Sequence, residues 1–462
     1  MRASGKSGGN PAGLSRSLGV FGVLFLTLSV TTPASSVFVI VPGMLSVAGT
    51  GALLAVLIAG LICVATAYVY AELSSAWPVA GGEYVMVVHT LGPMAGFVML
   101  GVNVFNNLLF PPVAALGVSA LLSAVLPGLP EIPTAIGVMT LATAVAVLNI
   151  RVNAWITGLF LLIEVAALLI VSWLGFDHAH LPLGEILWHP LMPAPGGLVP
   201  ASASSIGVAT TIAIFALNGY GVAVYFGEEM HQAPRLIARA ILAALLLGLV
   251  LEALPLLAAL TGAPDLQALL VSDDPFGQLV RLRGGEPIAN WVSIAVVVAI
   301  LNAVIAAILA TARFFFGTAR DKSWGHPFDH WMSHVHPGLG SPWLGTLIVG
   351  GIGIACCFLP LTFLLVVSGA GLVAIYAGIA LAAIAGRRSG ATRHAEFKMP
   401  LYPLWPVLTL IALLYVTWTS WLDPEEGRPA LIATAAQVGA SMLYYRLVLK
   451  PRGWTAEVPA ER

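Results

Sequence analysis

Charge is what this chain lacks most. Only 9% of its 462 residues are Asp, Glu, Lys or Arg, while 59% are hydrophobic. A soluble fold of this length needs far more charge on its surface, so a soluble enzyme or a nucleic-acid-binding protein is excluded. Cysteine is nearly as scarce: Cys63, Cys356 and Cys357 lie in apolar runs and the last two are adjacent, so neither a disulfide framework nor a CxxC metal site can be built. All ten histidines fall in loops or tails, which removes the intramembrane imidazoles that a membrane metalloenzyme would use. The cluster "HPFDHWMSHVH", His326 to His336, is unevenly spaced and reads as a solvated connection. The apolar runs hold no phosphate loop and no nucleophile beside a base, so neither catalysis nor a cofactor is expected.

What the chain has in abundance is apolar runs near the length of about 20 residues that a bilayer demands. Twelve candidates begin near Val20, Gly51, Met94, Ile132, Ala154, Ser204, Ile237, Trp291, Leu344, Phe363, Leu401 and Leu431. With the N-terminus inside, only Arg281, Arg283 and Arg428 of the 20 Lys and Arg fall on the outside, so the positive-inside rule places both termini in the cytosol. The longest outside connection, Phe176 to Pro200, carries no Lys or Arg. The polar start "MRASGKSGGNPAGLSRS" reads as a cytosolic tail over 1–18, and 450–462 forms a second one. No connection is long enough to bury a core of its own, so function has to reside within the membrane bundle.

Two runs are interrupted in their middles. In "TTPASSVFVIVPG", Pro33 has no N–H and clashes with the preceding turn, while Ser35 and Ser36 can bond the carbonyls it frees. In "FALNGYGVAVYFGEEM", Gly219 and Gly221 flank Tyr220 just after Asn218. The first run enters from the cytosol and the sixth from outside, so units of five spans insert with opposite orientation. Paired discontinuous helices in inverted halves are the sequence mark of a midplane binding site, since half-helix N-termini attract anions and freed carbonyls attract cations.

At these residues the chain resembles the amino acid, polyamine and organocation superfamily of secondary transporters. The resemblance is carried by "YAELSSAWPVAGGEYVMV" (Tyr70 to Val87), "GEEMHQAPRLIARAI" (Gly227 to Ile241), "TARFFFGTARDKSW", "HPGLGSPW" and "FKMPLYPLWPVL". It implies an all-α integral membrane fold of the LeuT type with twelve transmembrane helices. Spans one to five (19–176) and six to ten (200–388) would be inverted repeats, spans eleven and twelve (400–449) additions, and helices one and six discontinuous. It also implies substrate bound at the two breaks, with backbone N–H groups of the first cradling a carboxylate. Relatives carry a motif like Gly-Ser-Gly-Ile-Phe there; this chain has Pro33, Ala34, Ser35, Ser36 and Val37 ahead of Phe38, which restricts backbone approach but offers hydroxyls. The substrate-binding set expected is Thr32 to Val37, Phe215, Asn218, Gly219, Tyr220 and Gly221, with Asn103 and Asn107 of span three as cavity-lining amides. Amides such as Asn106 and Asn302 also serve as glue between membrane helices, and Phe105, Phe110 and Tyr220 are candidates for a hydrophobic wall.

Glu164 stands about ten residues into span five, roughly 15 Å deep at 1.5 Å per residue. A charge at a helix centre costs about 2.5 to 3.5 kcal/mol, so the side chain must face the bundle and find a partner or a proton. It is the candidate for proton coupling. Some proton-coupled relatives have a lysine there, so a cationic substrate is the second way to balance this carboxylate. Glu252 lies further along span seven and reads as structural or gating, toward the outer face. Glu228 and Glu229 end span six as a gate or an interfacial ion pair with the nearby Arg235 and Arg239.

The function these readings imply is proton-coupled secondary transport of an amino acid or related amine across the cytoplasmic membrane, with a small-molecule substrate, a proton and the lipid bilayer as partners. Uptake of a polyamine or other cationic amine is the alternative within the class. A sensor that kept a transporter fold without transport is the alternative from another class.

Overall fold

Lipid-facing and buried positions divide along each long helix in a pattern opposite to that of a soluble protein. On the helix spanning Ile150–Phe176, Trp155, Leu159, Leu162, Leu169 and Trp173 are exposed, while Thr157, Glu164 and Ser172 are buried. Apolar side chains outside and polar ones inside minimise free energy only where the solvent is hydrocarbon. The computed structural model describes residues 14, 16–125, 128–422, 424 and 427–457. Most of the expected N-terminal tail (1–13 and 15) and the last five residues of the C-terminal tail (458–462) lie outside the described residues.

The chain is helical almost throughout. The elements are α1 (Val20–Thr31), α2 (Pro33–Ser35), a π-helical turn (Ser36–Ile40), α3 (Val41–Ala48), α4 (Gly51–Ala76), α5 (Glu83–Leu91), α6 (Pro93–Val125), α7 (Glu131–Ala146) and α8 (Ile150–Phe176). After α9 (Leu183–Trp188) and a hairpin of β1 (Leu191–Ala194) and β2 (Gly197–Pro200) come α10 (Ala203–Ala216), a 3-10 segment (Tyr220–Glu229), α11 (Ala233–Gly262), α12 (Leu266–Leu270) and α13 (Pro275–Arg320). The chain closes with α14 (Phe328–Met332), α15 (Trp343–Cys356), α16 (Leu361–Ser389), α17 (Leu404–Leu422) and α18 (Gly427–Tyr444). Among the described residues nine helical segments are long and apolar enough to cross a membrane, and α7 and α15 are apolar but shorter.

Three boundaries differ from expectation. The helix carrying Glu164 begins at Ile150, four residues before Ala154, because Asn149 caps it by accepting the Arg151 N–H at 2.8 Å. Glu164 is therefore about 21 Å from the helix start and at its middle. The eighth span expected from Trp291 is the continuation of a helix that starts at Pro275 and bends at Gly285 (φ 77°). The Phe176–Pro200 connection is ordered, and its hairpin is fastened to the α3–α4 turn: the Thr50 N–H donates to the Leu191 carbonyl, and the Leu191 N–H to Thr50 Oγ1, both at 2.8 Å.

Candidate functional site

The first break falls at Thr32, one residue before the proline. Thr32 adopts φ 42°, ψ 71°, a left-handed conformation that a β-branched residue takes only under constraint. Proline disfavours the right-handed helix for the residue before it, so the helix ends there, and Pro33 then supplies the first position of the next, where no N–H is needed. From Pro33 the chain is helical over residues 33–48. The π-helical turn within this stretch precedes Pro42, whose missing N–H leaves the Phe38 carbonyl without its usual partner.

The second break follows α10. Leu217 and Asn218 leave the helix and Gly219 turns the chain at φ 122°. A Cβ on Gly219 would lie 2.8 Å from Thr31 Oγ1 and 2.9 Å from Thr31 Cα, so the two breaks abut. Ser36 joins them directly by donating its hydroxyl to the Ala216 carbonyl at 3.1 Å, one of the acceptors that the end of α10 frees.

Glu164 reaches this junction from α8. Its Oε1 accepts the Ala34 N–H at 2.8 Å and the Thr32 hydroxyl at 3.4 Å, while Oε2 is buried without a partner. The carboxyl thus sits on the N-terminal end of the 33–48 helix, where the helix dipole stabilises negative charge. Glu252, expected toward the outer face, instead faces the same junction from α11: it is 1% exposed, beside the Ser36 hydroxyl, close enough to Glu164 to interact with it. Its Oε1 is also without a partner. Linear distance along α11 could not reveal this, because which face of a helix meets the break depends on packing. The available signal was that Glu252, like Glu164, is the lone acid of its run.

Aromatic residues wall the other side. Tyr220 is fully buried, its hydroxyl unpartnered, and its ring lies 6.1 Å from that of Tyr70 and 6.4 Å from that of Tyr376. Cys63 is near enough to interact with both Tyr220 and Glu252. Tyr376 donates to Asn218 Oδ1 at 2.6 Å, tying α16 to the second break. Gly221 is needed because a Cβ there would come within 2.9 Å of the Tyr70 ring.

Of the expected set, Thr32, Pro33, Ala34, Ser36, Val37, Gly219, Tyr220 and Gly221 are buried around the junction, and Ser35 and Asn218 are half-buried. Phe215 is 37% exposed. Phe105 is 41% exposed. Asn103 and Asn107 join a polar network that includes the Tyr70 hydroxyl. Asn103 donates to Glu83 Oε2 at 3.2 Å and Asn107 to the Tyr225 hydroxyl at 3.0 Å. Glu83 also accepts from Tyr70 (3.0 Å) and Tyr225 (2.8 Å), so one buried carboxyl gathers α4, α5, α6 and the 3-10 segment. Burial raises the Glu83 carboxyl above its ordinary range, although the hydroxyls and amide around it pull it back. Asn302 acts between helices, donating to Ser29 Oγ at 2.9 Å and the Thr157 carbonyl at 3.1 Å.

The acids ending the 3-10 segment find partners other than those expected. Arg235 and Arg239, four residues apart, share the exposed face of α11. Glu229 instead pairs with Arg313 of α13, both side chains fully buried, and Glu228 pairs with Arg320 at 2.6 Å while accepting the Ala80 N–H at 3.0 Å. The Glu229 carbonyl accepts the N–H groups of Ser17 and Leu18 at 2.9 Å, which pins the segment ahead of α1 beneath the second break.

A bundle of membrane-length helices with two abutting breaks defines a multi-pass membrane protein. The chain belongs to the amino acid permease family, whose profile matches residues 18–448. It is 25% identical over 414 residues to the methylthioribose transporter of Bacillus subtilis, covering 84% of this chain and 85% of that one. It is 27% identical over 350 residues to an uncharacterized transporter of Mycobacterium tuberculosis (74% of this chain, 73% of that one). To the serine/threonine exchanger SteT of Bacillus subtilis it is 23% identical over 345 residues, 72% of this chain and 74% of that one.

Proposed function

We propose that the protein is a secondary active transporter that moves an amino acid or related amine across the cytoplasmic membrane, coupled to protons, by alternating access around the two breaks. The observation that carries this reading is the junction itself: two interrupted helices in contact, with a buried, half-satisfied carboxyl on the N-terminal end of one of them. Freed backbone groups and an intramembrane acid together are what a transported ligand and a coupling ion require.

The finer architecture proposed is twelve spans, with 19–176 and 200–388 as inverted repeats and 400–449 appended, both termini being cytosolic. The packing supports this reading, since α4 lies against α11, α6 against α13 and α7 against α15, the corresponding members of the two halves. The sparsity of basic residues in the outer connections supports the orientation. Thr32 to Val37, Asn218, Gly219, Tyr220 and Gly221 form the substrate site in this proposal. Glu164 carries the proton, and the ion pairs of Glu228 and Glu229 form the cytosolic gate.

The test is uptake into proteoliposomes under an imposed proton gradient. Glu164→Gln is expected to abolish gradient-driven accumulation even at substrate concentrations high enough to saturate the variant's exchange of labelled for unlabelled substrate. Accumulation equal to that of the unaltered protein removes Glu164 from coupling.

A further inference from the structure

The ligand's own charge can be read from which groups at the junction are satisfied. A helix N-terminus at a break is an anion site, and in a transporter that anion is ordinarily supplied by the ligand. Here the helix over 33–48 begins with Pro33, which has no N–H, and the next N–H, that of Ala34, already points at Glu164 Oε1 at 2.8 Å. The Thr32 hydroxyl points at the same oxygen. The position is filled from within the chain.

The side-chain atoms left without a partner at the junction are acceptors or a hydroxyl. Glu164 Oε2, Glu252 Oε1 and the Tyr220 hydroxyl are buried and unpartnered. Glu164 and Glu252 are both at most 1% exposed, and among the described residues neither takes part in an ion pair with Lys, Arg or His. Two neighbouring carboxyls without a cation are costly in a dry interior, and a positively charged ligand removes that cost. The rings of Tyr70, Tyr220 and Tyr376 cluster 6.1 to 6.4 Å apart, linked to Glu252 through Cys63, and an aromatic face attracts an ammonium group. A free carboxylate brought to the same place meets two acids and an occupied helix end.

We propose that Glu164 stands in for a ligand carboxylate at the first break, and that the site therefore selects an amine cation without a carboxylate group, held between Glu164, Glu252 and the three tyrosines. This rests on the transporter reading above and narrows its substrate class.

The test compares matched pairs that differ only in the carboxylate: tyramine with tyrosine, phenethylamine with phenylalanine, and cadaverine with lysine. Saturable binding to the purified full-length protein is measured by scintillation proximity, with unlabelled competitors. The expected result is that at least one amine competes tenfold or more better than its amino acid. In Glu164→Ala, which frees the Ala34 N–H, that ratio should fall at least tenfold or invert. A wild-type protein that binds the amino acids as well as the amines overturns the inference and leaves the transporter reading standing. Saturable binding by neither member of any pair overturns both. The wild-type comparison needs no altered protein, so it decides even if Glu164→Ala fails to fold.

Discussion

Arg313→Met tests whether the far end of the 3-10 segment that follows the second break is held by a charge pair that the interior cannot leave half-made. Arg313 and Glu229 are both fully buried and joined by two hydrogen bonds, one of them at 3.1 Å. The guanidinium also donates to the Leu309 carbonyl at 3.1 Å and lies 5.7 Å from the centre of the Phe226 ring. Removing one member of such a pair strands the other charge, at a cost of about 3 to 5 kcal/mol. Replacing both, as Glu229→Gln with Arg313→Met, removes the stranded charge, so the double variant should lose less than the two single variants together by about 2 kcal/mol or more. The control is Arg281–Asp274, a pair at 2.7 Å whose side chains are 44% and 49% exposed. Despite that short contact, Arg281→Ala should cost under about 1 kcal/mol, because solvent screens an exposed pair. The assay is reversible unfolding in mixed micelles followed by tryptophan fluorescence. Refutation would be an Arg313→Met loss no larger than that of Arg281→Ala, or single losses that simply add.

Two further outcomes are expected. Gly219→Ala forces a side chain into φ 122° with its Cβ 2.8 Å from Thr31 Oγ1, so it should destabilise the protein by more than about 1 kcal/mol and lower transport, read by unfolding and by proteoliposome uptake; full activity at wild-type stability would deny that the breaks must touch. Outside the membrane-spanning helices, burial raises the Asp321 carboxyl from 3.8 to about 6, even though the Tyr84 hydroxyl and Arg320 draw it down. The folded chain thus holds this proton more tightly than the unfolded chain, so the contribution to stability is present below about pH 4, declines toward pH 6 and is level above, by at most about 3 kcal/mol. Asp321→Asn should remove that decline from unfolding midpoints taken across the window, and an unchanged pH profile would contradict the assignment.

How much of this was legible in the sequence depended on the range of the interaction. The breaks were visible because their causes are local: Pro33 acts on its neighbour, and Gly219 supplies a backbone conformation closed to other residues. Glu164 was visible because one carboxyl in an apolar run has few places to go. The choice of partners was not visible. Glu229 meets Arg313 across 84 positions, and Glu83 collects Tyr70, Asn103 and Tyr225 from three elements. Proximity in the chain pointed to Arg235 and Arg239 instead, and only the rotation of α11 about its axis turns them outward. The same rotation brings Glu252 to the junction. The hairpin of β1 and β2 read as a plain loop because two four-residue strands leave too short a pattern of alternation to recognise.

The most direct measurement is chemical access to the junction from each side of the membrane. Ser36→Cys, in a protein with Cys63, Cys356 and Cys357 replaced by serine, is labelled in right-side-out and inside-out vesicles with a membrane-impermeant maleimide. Alternating access around the breaks predicts labelling from both sides, with saturating ligand slowing both. Labelling confined to one side, or unaffected by any ligand that the protein transports, would contradict the placement of the transport site at these two breaks.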